Sequence, residues 1–243
     1  MASLRWSLAG LLLVVGLALA HHVASSGAGP SPRGYLPLVL KGLSFATPAS
    51  GTLQVLPNHQ HYVTHPDEHR TVVRVVGEVR NLLGREIDAI ILRAFVYKDG
   101  QRVGVGYGTV PLQVVPNGVQ TCFAIEAELQ GYLAVDGYML TLVGYQRHEE
   151  PYHWLRVEDV TGEAEGNEYI LRGLSYHDAG PVLERSRAVG TLYDASGAVV
   201  DCNASNLDHN DESDRVQPFS IVYDQREHYG DVARWTVQAI GSP

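Results

Sequence analysis

The sequence predicts an all-β chain built as two tandem antiparallel β-sandwich modules. Three observations carry this: apolar residues recurring with a period of two, glycine-centred turns between those runs, and a weak internal repeat at a fixed offset of 96 residues. No run of more than 12 residues shows a convincing helical period. At 243 residues the chain suits two modules of roughly 80–100 residues with connections.

The strand signal begins near Leu53. In Val72–Asn81, Val73, Val75, Gly77 and Val79 share one face while Arg74, Glu78 and Arg80 share the other. Ile90, Leu92, Ala94 and Val96 alternate in the next run, which stops at Lys98-Asp99-Gly100, a hairpin signal. Pro116-Asn117-Gly118 marks another turn. After it Phe123, Ile125, Ala127 and Leu129 face one way, and Cys122, Glu126 and Glu128 face away from the core. The run 137–145 closes the first module.

The second module answers landmark by landmark, with Gly77 matched by Gly173, Tyr97 by Tyr193 and Phe123 by Phe219. The predicted organisation is a signal peptide at 1–20, a low-complexity stalk at 21–52, module 1 at 53–147, an acidic linker at 148–166 and module 2 at 167–243. The linker HEEPYHWLRVEDVTGEAEG is expected to pack partly against one module.

Arg5, the apolar run Leu8–Ala20 and the small-residue pattern Ala18-Leu19-Ala20 predict a cleavable secretion signal. The competing reading, an uncleaved anchor, needs roughly 20 apolar residues where this run has 13. The stalk, with Pro30 and Pro32, carries too little apolar surface to order itself. A secreted or envelope-associated product with no span after signal cleavage is expected. A formal charge of −9, with 18 basic against 27 acidic residues, argues against a nucleic-acid partner.

In order along the chain, VVGEVRN, AFVYKDGQRVG and VVPNGVQTCF resemble the FxLYD domain, a small Ig-like or fibronectin-like β-sandwich of secreted bacterial and archaeal proteins. The second copy supplies the ending as Leu192-Tyr193-Asp194, and the first as Val96-Tyr97-Lys98; Ala94 and Gly190 stand where the motif has phenylalanine. The resemblance implies a fold and an extracellular setting, and brings no catalytic or ligand residues with it.

Four histidines crowd the segment before the first strong strand: His59, His61, His65 and His69, beside Asp67 and Glu68. Imidazoles and carboxylates together suit zinc or copper, and His59 and His61 would share a strand face; an exposed polar edge is the alternative. The loop 201–214 gathers Asp201, Asp208, Asn210, Asp211, Glu212 and Asp214, oxygen ligands of the kind calcium takes, without the glycine and twelfth-position glutamate of an EF-hand. Asp208, Asn210, Asp211, Asp214, His59 and His61 are therefore the candidate ligands for calcium or a transition metal, against a plain solvated loop.

Cys122 and Cys202 either bridge the modules or remain two free thiols. Glu126 and Glu128 share a strand face, as any solvent-facing pair does. No G-x-S-x-G, H-E-x-x-H or phosphate loop is present, so the chain reads as non-catalytic, without a cofactor. The function expected is an interaction or structural module meeting a protein or glycan at the cell exterior. The alternative is an accessory protein binding metal, or binding glycan through Tyr107, Tyr132 and Trp154.

Overall fold

A computed structural model describes residues 51–178, 183, 185–207, 215–224 and 232–243. They are all-β, with fifteen strands and no helix. The first half holds β1 (Leu53–Val55), β2 (Gln60–Asp67), β3 (Arg70–Asn81), β4 (Ile87–Lys98), β5 (Gln101–Thr109), β6 (Val114–Val115), β7 (Gln120–Gln130) and β8 (Gly137–Arg147). The second holds β9 (His153–Trp154), β10 (Arg156–Glu165), β11 (Glu168–Tyr176), β12 (Arg185–Tyr193), β13 (Val199–Leu207), β14 (Val216–Asp224) and β15 (Arg234–Ser242).

In the first half β2, β3 and β7 pair in one layer, and β5, β4 and β8 in the other. A single bridge, Tyr107 to Glu126, ties β5 to β7. The core between the layers is the alternating set read from the sequence: Val73, Val75 and Val79 meet Phe123, Ile125 and Leu129, with Ile90, Leu92 and Val96 opposite. The hairpin after β4 has Asp99 at φ 51° and Gly100 at φ 72°, the two left-handed residues that match a tight turn to strand twist. Asn81, buried at the end of β3, donates from Nδ2 to the Arg85 and Val115 carbonyls, and its Oδ1 accepts from the Leu83 amide. That satisfies a polar side chain in an apolar setting.

The second half has the same strand pairings: β10·β11 and β11·β14 in a three-stranded sheet, β12·β13 and β12·β15 in a four-stranded one that β9 extends. Gly77 lies across from Phe123, and Gly173 across from Phe219. In each case a Cβ on the glycine would come within 2.8 Å of the phenylalanine Cζ, so the ring occupies the space the missing side chain leaves. Register also breaks at equivalent places, between Val96 and Tyr97 and between Leu192 and Tyr193.

The segment 148–166, expected to be a linker, is mostly strand, which corrects the sequence reading. β9 pairs with β15 and β10 with β11, while Leu155, Val157 and Val160 join the second core. The acidic residues of β10 lie on its solvent side at a sheet edge, where charge discourages further strand pairing, and this composition imitates a linker.

Two further expectations fail for one reason. Cys122 and Glu78, assigned to the solvent face of their strands, are 0% and 3% exposed. Both do face away from the first core, but the second half covers that face.

Candidate functional site

Cys122 on β7 and Cys202 on β13 form a disulfide with Cα atoms 5.7 Å apart, joining positions 80 residues apart in sequence. Beside it, the Arg74 guanidinium reaches Asp201 Oδ1 from Nε at 3.0 Å and from Nη2 at 2.6 Å, and Glu126 Oε1 from Nη1 at 2.7 Å. Burial disfavours the guanidinium charge, but the attraction of Asp201 and Glu126 outweighs it and holds the proton more tightly than usual. On the other side of Val76, Glu78 accepts from Asn58 Nδ2 at 2.6 Å and from the Tyr193 hydroxyl at 2.7 Å. Burial pushes the Tyr193 phenol up to about 12; the Thr236 hydrogen bond opposes that rise and Glu78 adds to it. Val76, Tyr193 and Val199 close a small apolar cluster within this seam. Backbone links complete it: the Val199 amide donates to the Asn58 carbonyl at 2.8 Å, and Gln60 Nε2 to the Val199 carbonyl at 2.6 Å.

Sequence reasoning missed this seam apart from its cysteines. The one signal available was Glu78, a carboxylate inside a run of valines, which is worth suspecting of a buried partner.

The two candidate histidines turn inward. His59 packs over Gly77 and shares a hydrogen bond from Nδ1 with the Tyr138 hydroxyl, and the His61 ring lies 5.0 Å from the Tyr138 ring. His65 stacks on Tyr132 at 3.8 Å. Among the described residues no three His, Cys, Asp or Glu side chains gather as a metal set. Asp208, Asn210, Asp211 and Asp214 lie outside the described residues.

Burial lowers the pKa of both imidazoles; for His59 a backbone hydrogen bond opposes part of that shift. The unfolded chain, with ordinary imidazoles near about 6.5, therefore binds more protons than the folded one just below that pH, and stability falls as the pH drops through this window. Thermal midpoints followed from about pH 7.5 down to about 5 are expected to fall more steeply for the native protein than for His59→Gln/His61→Gln. Parallel curves would clear both histidines of the effect.

Among the described residues, the outer face of β5–β4–β8 is a surface that no other strand covers. Val105 lies across from Phe95, Phe95 from Met139, and Tyr107 from Arg93, all on one face. Val105, Tyr107 and Met139 are 43%, 57% and 47% exposed, and Ile91 and Val143 extend the patch. Arg93 and Arg102 lie 4.4 and 5.4 Å from the Phe95 ring centroid, and among the described residues neither has a carboxylate within salt-bridge distance. Tyr132 and Trp154 sit apart from this patch, in the connection before β8 and on β9. An open depression of about 720 Å³ at the β2–β3 turn is lined by Asp67, His69, Arg70, Glu128, Leu129 and Gln130. There Arg70 is already paired with Asp67 at 3.4 Å and Glu128 at 3.5 Å.

No family model matches the chain, and no curated protein or solved structure matches it either.

Proposed function

We propose that the protein is a non-catalytic interaction module of the cell exterior, made of two duplicated FxLYD-like sandwiches locked into one body, which meets a protein partner through the outer face of β5–β4–β8. The carrying observation is that face: a contiguous row of aliphatic and aromatic side chains, with two guanidinium groups stacked on Phe95, on a domain whose opposite outer face is covered. Exposed apolar patches of this kind cost solubility unless something covers them. The aliphatic side chains Val103, Val105 and Ile91 favour protein over glycan, because sugars stack on flat aromatic rings. The disulfide suits an oxidising compartment, in keeping with the signal peptide expected at 1–20.

Envelope extract passed over the immobilised protein, beside a Val105→Glu/Met139→Glu variant of unchanged melting temperature, tests this reading. The native face is expected to retain a partner that the variant releases. Equal retention by the two would remove the face from function.

A further inference from the structure

We propose that the β5–β4–β8 face of one copy docks on the β10–β11–β14 face of a second copy, repeating between chains the contact that already joins the two halves within one. The inference rests on the reading of β5–β4–β8 as an interaction surface and names its occupant.

The template is internal. With the 96-residue offset, β12 corresponds to β4, β13 to β5 and β15 to β8, while β11 and β14 correspond to β3 and β7. Within the chain, the outer face of β13–β12–β15 covers the outer face of β3–β7: Cys202 meets Cys122, Asp201 meets Arg74, and Tyr193 meets Glu78. The face of the first half that corresponds to this donor face is β5–β4–β8. The face of the second half that corresponds to the acceptor is β10–β11–β14. Among the described residues the chain thus carries one filled contact of this type, and no strand covers the corresponding face at either end, although Ile170 on the acceptor face is only 6% exposed.

Register makes the correspondence specific. Phe95 lies between Val105 and Met139 as Thr191 lies between Cys202 and Thr236. On the acceptor side the pairs Glu78–Cys122 and Arg74–Glu126 become Leu174–Pro218 and Ile170–Val222. By strand register, one residue off the 96-residue offset on β13, Val105 therefore stands where Cys202 does, and Pro218 stands where Cys122 does. Two polar linkages of the internal seam become apolar in the external one, and Val216 at 48% exposure lies beside Pro218 on the acceptor strand.

Charge points the same way. On β4, β5 and β8, Arg93, Lys98, Arg102 and Arg147 stand against Asp88 alone, a formal +3 in a chain of −9. On β10, β11 and β14, Glu158, Asp159, Glu163, Glu165, Glu168 and Asp224 stand against Arg156 and Arg172, a formal −4. A two-fold dimer through β5–β4–β8 would set Arg93 and Arg102 of one copy against those of its mate, whereas the head-to-tail contact sets them against a sheet of net negative charge, in which Glu158, Glu163 and Glu165 share only Arg156 and Arg172. Such a heterologous contact closes into a ring or extends as a filament. Being the size of an interdomain contact, it is expected in the weak, micromolar to millimolar range.

Cysteines placed at the two corresponding positions test the geometry. Full-length Val105→Cys mixed with full-length Pro218→Cys under mild oxidation should give a covalent heterodimer at least roughly tenfold faster than Val105→Cys mixed with Ala134→Cys, an exposed control elsewhere, since proximity sets the exchange rate. Equal rates overturn the proposal. Sedimentation of the unmodified protein up to about 1 mM supplies an arm free of added cysteines. Its weight-average mass should rise at least roughly twofold, Val105→Glu and Val216→Glu should each stay monomeric, and their mixture should recover a dimer through its one intact pair of faces. A protein that stays monomeric, or a mixture that recovers nothing, overturns it. If self-association is absent while Val105→Glu still releases an envelope partner, the inference falls and the interaction surface stands; if Val105→Glu changes neither, both fall.

Discussion

Replacing Cys122 and Cys202 together by alanine is expected to lower the unfolding midpoint of the oxidised protein by roughly 10 °C. The bridge closes a loop over 80 residues of sequence, so its loss returns that loop's freedom to the unfolded chain, about 4 kcal/mol on the chain-entropy view. For a body of this size each kilocalorie per mole moves the midpoint by about 2–4 °C. Alanine is the substitution of choice because Cys122 is wholly buried, and a serine there would bury a hydroxyl as well. Differential scanning calorimetry of the two proteins, with the native one also run in reductant, makes the comparison. The reduced native protein should approach the alanine variant; a midpoint that ignores both changes would show the halves held together without the bridge.

Asp201→Ala is expected to cost about 3 kcal/mol, more than most surface substitutions by a wide margin. Its Oδ1 takes three donors, Arg74 Nε and Nη2 and the Cys202 amide at 2.7 Å, and removing it leaves a largely buried guanidinium whose remaining partners are the exposed Glu126 and the Cys202 carbonyl at 3.3 Å. The penalty is that of stranding a charge, so a variant that removes both partners, Arg74→Met/Asp201→Leu, should lose much less than the sum of the two single changes. Urea denaturation of the four proteins gives the coupling. Additive losses would mean that the ion pair contributes nothing of its own to the seam.

Both effects arise at the boundary between the halves, the part of the molecule least legible in the sequence. The strands themselves were legible. Val73, Val75 and Val79, then Phe123, Ile125 and Leu129, sit in the first core because burial on one face of a pleated strand writes a period of two directly into the residue order. Asp99-Gly100 turns as expected because few residue pairs tolerate two left-handed conformations in succession. The segment 148–166 misled because an edge strand with an acidic outer face has the composition of a linker, and only its pairing with β11 distinguishes the two. The candidate ligands His59 and His61 were visible as a cluster, but their inward turn onto Tyr138 depends on β8, almost eighty residues further on.

By itself the sequence determined that this protein is all-β, which residues face the first core, and where the β4–β5 hairpin turns. The tertiary structure decided what happens to the other face of each strand. Alternation distinguishes an apolar side from a polar one, but it carries no information on whether water or another sheet meets the polar side. Arg74, Glu78 and Cys122 read as solvent-facing because their partners Asp201, Tyr193 and Cys202 lie 80 to 127 residues away. Ile91, Val105 and Met139 are apolar, yet they stay open because the second half covers the opposite side of the first.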